Sequence, residues 1–337
     1  MKSTYNELKY FLQACISINI YSYLLFYIKT FYRKVFKYDN KQEINRSLAV
    51  HMKNIDTLEN IDNITISGAI NIDVLLATKT INLNKDYDWI LKSDDNEDIE
   101  SLHRFNWIKY FLSSKNVTTQ ELALINYLII DWFNKNSNNF NLTDLRYTPY
   151  TMSERLCNVL FFYIIINKEI PNNLKNHLHF TANKIVDNLE IYRYGNGNHL
   201  INNLKSLIIY SLYFNHENLL SQSLKYFIYL CNDFIFNGFT KDYSSSYQLL
   251  FVMWLNEIVA VSEYKNKNHL FIDINLLKKE LFDKSKLFFD PSTNYFSYFG
   301  DITPDYNSEF MKTIYNNNEF LDAMNLNRFY NLIKHVE

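Results

Sequence analysis

From His103 onward, apolar residues recur at three- and four-residue spacing with almost no glycine or proline inside the runs, a pattern that builds amphipathic and buried helices. It predicts helices near 103–113, 118–135, 151–168, 171–190, 198–214, 216–235, 244–263 and 273–289. Thr118-x-x-Glu121 and Thr151-x-x-Glu154 have the spacing of capping boxes, and Pro171 suits a first helical turn. Upstream, β-branched pieces at Ile64–Ile70 and Ala77–Leu83 lead into an acidic loop at Ser93–Glu100. The expected organisation is a mixed helical and extended lead-in over 1–95 and a mainly α domain over 96–337. No strict repeat is visible, but short and long connections alternate as they would in a ring of antiparallel helical hairpins.

Successive antiparallel helices reverse direction, so every second connection lies on the same face. The connections at 136–150, 191–198, 236–243 and from 290 onward share one parity with the helix starts at 103, 151, 198 and 244. That face should collect Arg104, Tyr147, Tyr150, Arg155, Asn198, His199, Asp242, Tyr247 and Asp301, whereas the other collects mostly Asn and Lys. Function-bearing loops cluster in this way on a rigid scaffold.

Composition narrows the partners. With 337 residues and 47% hydrophobic content the chain supports one large core or two smaller ones, and a net charge of -2 without a long basic run argues against nucleic acid. Cys15, Cys157 and Cys231 sit in apolar contexts typical of buried thiols and form no disulfide framework. The bias toward Asn, Lys, Ile and Tyr reads as translation from an AT-rich, bacterial genome. Tyr10–Ile28 is the one membrane or targeting candidate, but Gln13, Ser17, Asn19 and Ser22 interrupt it and no small-residue cleavage site follows. An amphipathic helix is expected there, and its basic continuation to Lys37 is either a solvated face or a membrane contact through residues 10–37. The expected location is cytoplasmic or membrane-associated, with the periplasm as the alternative. His177-x-His179 puts its rings on different helix faces, so neither a metal site nor a cofactor is expected, and no phosphate-binding glycine loop is present.

Four of the five glycines fall in three short segments, Tyr194-Gly195-Asn196-Gly197-Asn198-His199, Asn237-Gly238-Phe239 and Phe299-Gly300-Asp301. Such scarcity marks backbone that needs positive φ or close approach. The first segment opens the apolar run Leu200–Phe214, which places Asn198 and His199 at a helix N-terminus whose free amides favour anions. Taken by themselves, Asn198 also reads as an N-cap, Tyr247 as a core ring and Arg155 as a partner of an acidic side chain. Trp107, Trp132 and Trp254 fall in helical stripes and read as core.

With these residues in view, the chain resembles the heparinase II/III family, polysaccharide lyases that act on uronic-acid glycans and whose N-terminal domain is an incomplete α/α toroid. Arg104-Phe105-Asn106-Trp107, Ile130-Asp131-Trp132 and Tyr147-x-Pro149-Tyr150-x-x-Ser153-Glu154-Arg155-Leu156 are similar to family segments. So are Gly197-Asn198-His199-Leu200 with Lys205-x-Leu207, and Asn237-Gly238-Phe239 followed by Asp242-x-Ser244-x-x-Tyr247. The resemblance spans roughly 100–305 and implies an incomplete toroid of antiparallel hairpins, an acidic polysaccharide or oligosaccharide as ligand, and β-elimination as the chemistry. It also implies a C-terminal β-sandwich, which is not expected within these 337 residues, so the expectation is either an activity impaired by its absence or a separately encoded β-sandwich partner. Departures fall at Gln248, where the family has His, at the shorter Asp242, and at Asn202.

The resemblance implies roles for single residues. Asn198 and His199 would neutralise a uronate carboxylate beside the helix terminus, and Tyr247 would remove the C5 proton and then protonate the leaving oxygen. Arg155 or His199 would tune the Tyr247 phenol downward, and Arg155, Tyr150, Asp242 and Arg104 would contact substrate. Two other readings stand beside lyase chemistry: a non-catalytic glycan-binding or scaffold protein of a surface-polysaccharide pathway, and a toroidal glycoside hydrolase with Asp242 and Asp301 as its carboxylates.

Overall fold

The computed structural model describes residue 66 and residues 70–114, 117–136, 140–191, 197–290, 295–297 and 300. The segment 10–37, Cys15, most of 64–70 and Asp301 lie outside the described residues. Apart from Glu190 and Ile191, the described residues belong to one compact unit.

The unit opens with a hairpin of β1 (Ile72–Leu75) and β2 (Thr80–Leu83), paired antiparallel with Ile72 opposite Leu83. Ile72, Val74 and Leu83 are buried on its inner side. Its turn is tied to the next helix, because the Thr78 N–H and hydroxyl both donate to the Asp98 carboxylate at 2.8 Å.

Nine helices follow among the described residues. They are α1 (Asn96–Arg104), α2 (Asn106–Ser114), α3 (Thr119–Asn136), α4 (Pro149–Ile165) and α5 (Asn172–Asp187), then α6 (Asn198–Phe214), α7 (Glu217–Phe234), α8 (Ser245–Tyr264) and α9 (Ile272–Ser285). Residues 103–113, expected as one helix, are divided at Phe105, whose φ of 61° ends α1. Packing decides the break: the Phe105 ring is fully buried against Trp107 and Trp132.

Burial separates two layers. Every residue of α4 is buried, as is the run Leu200–Leu212 of α6 and most of α8, whereas α5, α7 and α9 bury only one stripe each. A helix buried on all sides belongs to an inner layer and a one-striped helix to an outer one. The result is mainly α: an inner layer of α4, α6 and α8 backed by α3, α5, α7 and α9, the arrangement of an incomplete α/α toroid.

The first capping box forms as expected. The Thr118 N–H donates to Glu121 Oε2 at 2.8 Å and the Glu121 N–H donates to Thr118 Oγ1 at 3.2 Å. Thr118→Ala should therefore lower stability by about 1 kcal/mol in urea unfolding, and an unchanged midpoint would show that α3 does not need the cap. The second box does not form. Thr148 caps α4, accepting from the Thr151 N–H at 3.3 Å, and Glu154 is drawn into the interior by lysines distant in sequence.

Between α7 and α8, β3 (Ile235–Phe236) and β4 (Phe239–Thr240) make a two-residue hairpin around Asn237 and Gly238, at φ 52° and 78°. Two positive φ values in a row define a type I′ turn, for which Asn-Gly is the favoured pair. Gln248 clasps the hairpin: it accepts from the Thr240 N–H at 2.9 Å and donates to the Gly238 and Leu281 carbonyls at 2.6 and 3.0 Å. A last short hairpin pairs β5 (Phe289–Asp290) with β6 (Tyr295–Phe296).

Candidate functional site

Three contacts set the register of α4 against α6. Tyr150 meets His199 with ring centroids 4.7 Å apart, Asn203 Nδ2 donates to Ser153 Oγ at 3.1 Å, and Lys205 Nζ donates to Glu154 Oε1 at 2.7 Å. Both numbers rise together, so the helices run parallel. Tyr150 also approaches Trp254 at 6.4 Å, and Glu154 and Glu257 share Lys205, which aligns α8 the same way. The inner helices therefore start on one face, as the parity of the connections predicted.

At that face Asn198 is the first residue of α6, behind Gly197 in an extended conformation (φ -82°, ψ -174°) that provides no side-chain cap. Gly197 thus needs no positive φ, unlike Gly238 and Gly300. An N-terminus with no side-chain cap presents N–H groups and the positive end of the helix dipole. His199, half-buried beside Asn198, packs on Tyr150, and the Arg104 guanidinium lies 4.9 Å from the Tyr150 ring centroid. Arg104 is itself 6% exposed and paired with Glu97 at 3.0 Å and with Glu100. Its direct substrate contact is therefore corrected to a contact with the Tyr150 ring.

Tyr247 is half-buried in the first turn of α8, where Ser244 caps the helix by accepting from the Tyr247 N–H at 3.1 Å. It precedes Trp254 by seven residues, so it lies about 10 Å along the helix above the level of Tyr150 and His199. Asp242 is half-buried two residues before the cap. Gly300 comes back to this same point, where a Cβ would stand 2.4 Å from the Tyr243 carbonyl oxygen. Tyr150, His199 and Asn198 thus form a floor, and the start of α8 rises beside it.

Arg155 and Tyr147, also expected on this face, are held by interior partners. Arg155 is 1% exposed, lies 3.9 Å from the Trp132 ring centroid, and donates to the carbonyls of His103 and Arg146 at 2.8 and 2.9 Å. Its substrate contact is corrected to a structural role, and its partners are carbonyls rather than an acid. Tyr147 is 4% exposed and donates to the Asn136 carbonyl, and burial pushes its phenol above the ordinary range. The Gln248 departure falls on the buried hairpin clasp, and Asn202 is fully buried inside α6.

Sequence reasoning missed what lies beneath the floor. Lys205 bridges Glu154 at 2.7 Å and Glu257 at 3.2 Å, while Lys109 bridges Glu257 at 2.6 Å and Glu154 at 3.9 Å. All four side chains are at most 7% exposed, and they join α2, α4, α6 and α8. Burial alone would raise the Glu154 carboxyl, but Lys205 and Lys109 outweigh it and hold the group below its usual range. Burial likewise opposes charge on Lys205, and Glu154 with Glu257 overcomes it. Lys205 also sits 4.9 Å from the Trp254 ring centroid, directly under Tyr150. Single lysines inside the apolar runs Trp107–Leu112 and Leu200–Leu212 were the available signal.

His177 stacks on Phe133 and His179 meets Tyr210, so the two rings do face apart. Among the described residues no cluster of three His, Cys, Asp or Glu side chains could hold a metal ion, and no helix is long and apolar enough to cross a membrane. Cys157 and Cys231 are buried.

No family model and no curated protein sequence matches the chain. Among solved structures, the heparan sulfate lyase HepC from Pedobacter heparinus is similar with a TM-score of 0.50 over 84% of this chain and 47% of that one, at 16% identity. Heparinase III (TM-score 0.47, 63% of this chain, 34% of that chain, 19% identity) and the heparinase III BT4657 gene product (0.45, 79%, 48%, 15%) also match. The chain spans between a third and a half of the length of these proteins. The class defined by helix order and layering is an incomplete α/α toroid. More particularly, the chain has a heparinase-like polysaccharide lyase fold.

Proposed function

We propose that this chain is the helical part of a lyase that cleaves a uronate-containing polysaccharide by β-elimination, with residues 96–337 as the toroid domain and 1–95 as its lead-in. The observation that carries the reading is the N-terminus of α6, without a side-chain cap, where Asn198 and His199 stand on the same face as Tyr247. The α6 amides, the Asn198 amide group and the His199 ring would hold the substrate carboxylate and delocalise the charge that builds on it. Tyr247 would take the proton from C5 as the C5–H bond breaks. The electron pair would then form the C4–C5 double bond and expel the 4-linked oxygen, which recovers the proton from Tyr247. Tyr150 supports His199 from below, Arg104 fixes Tyr150, and Asp242 lies beside the reacting sugar. Hydrolysis would need no group to neutralise the carboxylate.

The test follows near-ultraviolet absorbance of the unsaturated uronate during incubation with acidic glycans, alone and with a separately supplied β-sandwich partner. Tyr247→Phe should lower turnover by about 10²- to 10⁴-fold while binding persists, since it removes the proton carrier and keeps the ring. Glycan binding by wild type without any unsaturated product would instead identify a binding or scaffold protein. Product with only saturated ends would identify a hydrolase.

A further inference from the structure

Seven non-glycine residues among the described ones have positive φ, and four of them are Asn, the residue that tolerates this region best. The other three are aromatic: Trp89 (64°), Phe105 (61°) and Tyr243 (51°). Packing accounts for two of these. Trp89 is 2% exposed and donates from Nε1 to Asp131 at 2.8 Å, and Phe105 is fully buried in an aromatic cluster. Tyr243 is different, because the residue is 79% exposed.

A residue just before an N-cap often packs its side chain on the fourth helical residue. That residue here is Gln248, which is 1% exposed and engaged in the hairpin clasp. The backbone of Tyr243 is nevertheless held firmly: its N–H donates to the Thr240 carbonyl at 3.2 Å, Ser244 caps α8 immediately after it, and Gly300 packs on its carbonyl. The fold thus holds an aromatic residue in a conformation that costs free energy and leaves its ring in solvent, one turn from Tyr247. Strain of this kind, over-determined by its surroundings, collects at ligand-contacting positions.

We infer that Tyr243 is a sugar-stacking platform at the mouth of the candidate site, receiving the C–H face of a pyranose ring adjacent to the one held by Asn198 and His199. The inference rests on the proposed glycan reading and extends it to a specific subsite. A flat aromatic ring matches the axial C–H face of a pyranose, and the phenol hydroxyl remains available to a ring substituent. Orientation comes from the strained backbone rather than from contacts of the ring.

Tyr243→Asn and Tyr243→Phe separate this role from a structural one. Titration calorimetry with heparan sulfate and alginate octasaccharides should show Kd about five- to tenfold weaker for Tyr243→Asn, and near wild type for Tyr243→Phe. Thermal unfolding should show Tyr243→Asn more stable by about 2 °C, because Asn relieves the backbone. Wild-type binding that is unchanged in Tyr243→Asn, or a fall in its melting temperature, would overturn the platform and leave the glycan reading standing. Absence of binding by wild type to any acidic octasaccharide would overturn both.

Discussion

Lys205→Met should destabilise the protein by about 3–5 kcal/mol in urea unfolding, the largest single effect expected of any side chain in or beneath the floor. The ammonium group is fully buried between Glu154 and Glu257, at 2.7 and 3.2 Å. Its removal leaves two buried carboxylates with much of their compensating charge gone. The double variant Lys205→Met with Glu154→Gln should recover most of the loss, since it removes one carboxylate along with the cation and leaves the Lys109–Glu257 pair at 2.6 Å. A single variant costing under about 1 kcal/mol, or a double variant as unstable as the single, would show that the four charges do not act as one unit. The consequence for the site is direct, because Lys205 lies under Trp254 and Trp254 lies under Tyr150.

Acid should weaken the fold well before its carboxylates protonate. His103 is buried, and its Nδ1 accepts from Trp132 Nε1 at 2.9 Å, so the ring is neutral. Burial first, then Arg155 and Arg146, pull its pKa from 6.5 to about 3. A depressed basic group binds its proton more readily in the unfolded chain. Its contribution is therefore whole above pH 6.5 and is lost as pH falls toward 3, at up to about 1.4 kcal/mol per unit. His179, lowered to about 4 by burial and then by His216 and Lys175, adds a second slope in the same window. In His103→Gln, whose side-chain oxygen can still accept from Trp132, the fall in urea midpoint between pH 6.5 and 4.5 should be visibly shallower than in wild type. Parallel slopes would mean that His103 also titrates freely in the folded state.

Much of the helical framework was readable from the chain. Helix periodicity is local, so α6 begins and ends where the apolar spacing placed it, and α3, α5, α7 and α8 differ from expectation by a few residues at most. Parity alone predicted that the inner helices start on one face, since it needs only the count of reversals. The Asn237-Gly238 turn was equally legible, because its dipeptide carries the conformation it adopts. Arg155 was not legible in this way. An arginine near a helix start looks the same in sequence whether its guanidinium meets solvent or the face of Trp132.

What the sequence determined by itself was therefore whatever a short window settles: which segments are helical, that Asn237-Gly238 turns the chain, and that Asn198 and His199 open a helix. Tertiary structure alone decided the partners. Glu154 has the spacing of a capping residue, yet Lys205, fifty-one positions later, draws it inward, because a charge deprived of water is governed by the nearest opposite charge and not by its neighbours in the chain. Phe105 and Tyr243 show the same division. Each occupies a backbone conformation that its residue type disfavours locally, and only the core around the one and the clasped, capped turn around the other make that conformation the lowest available.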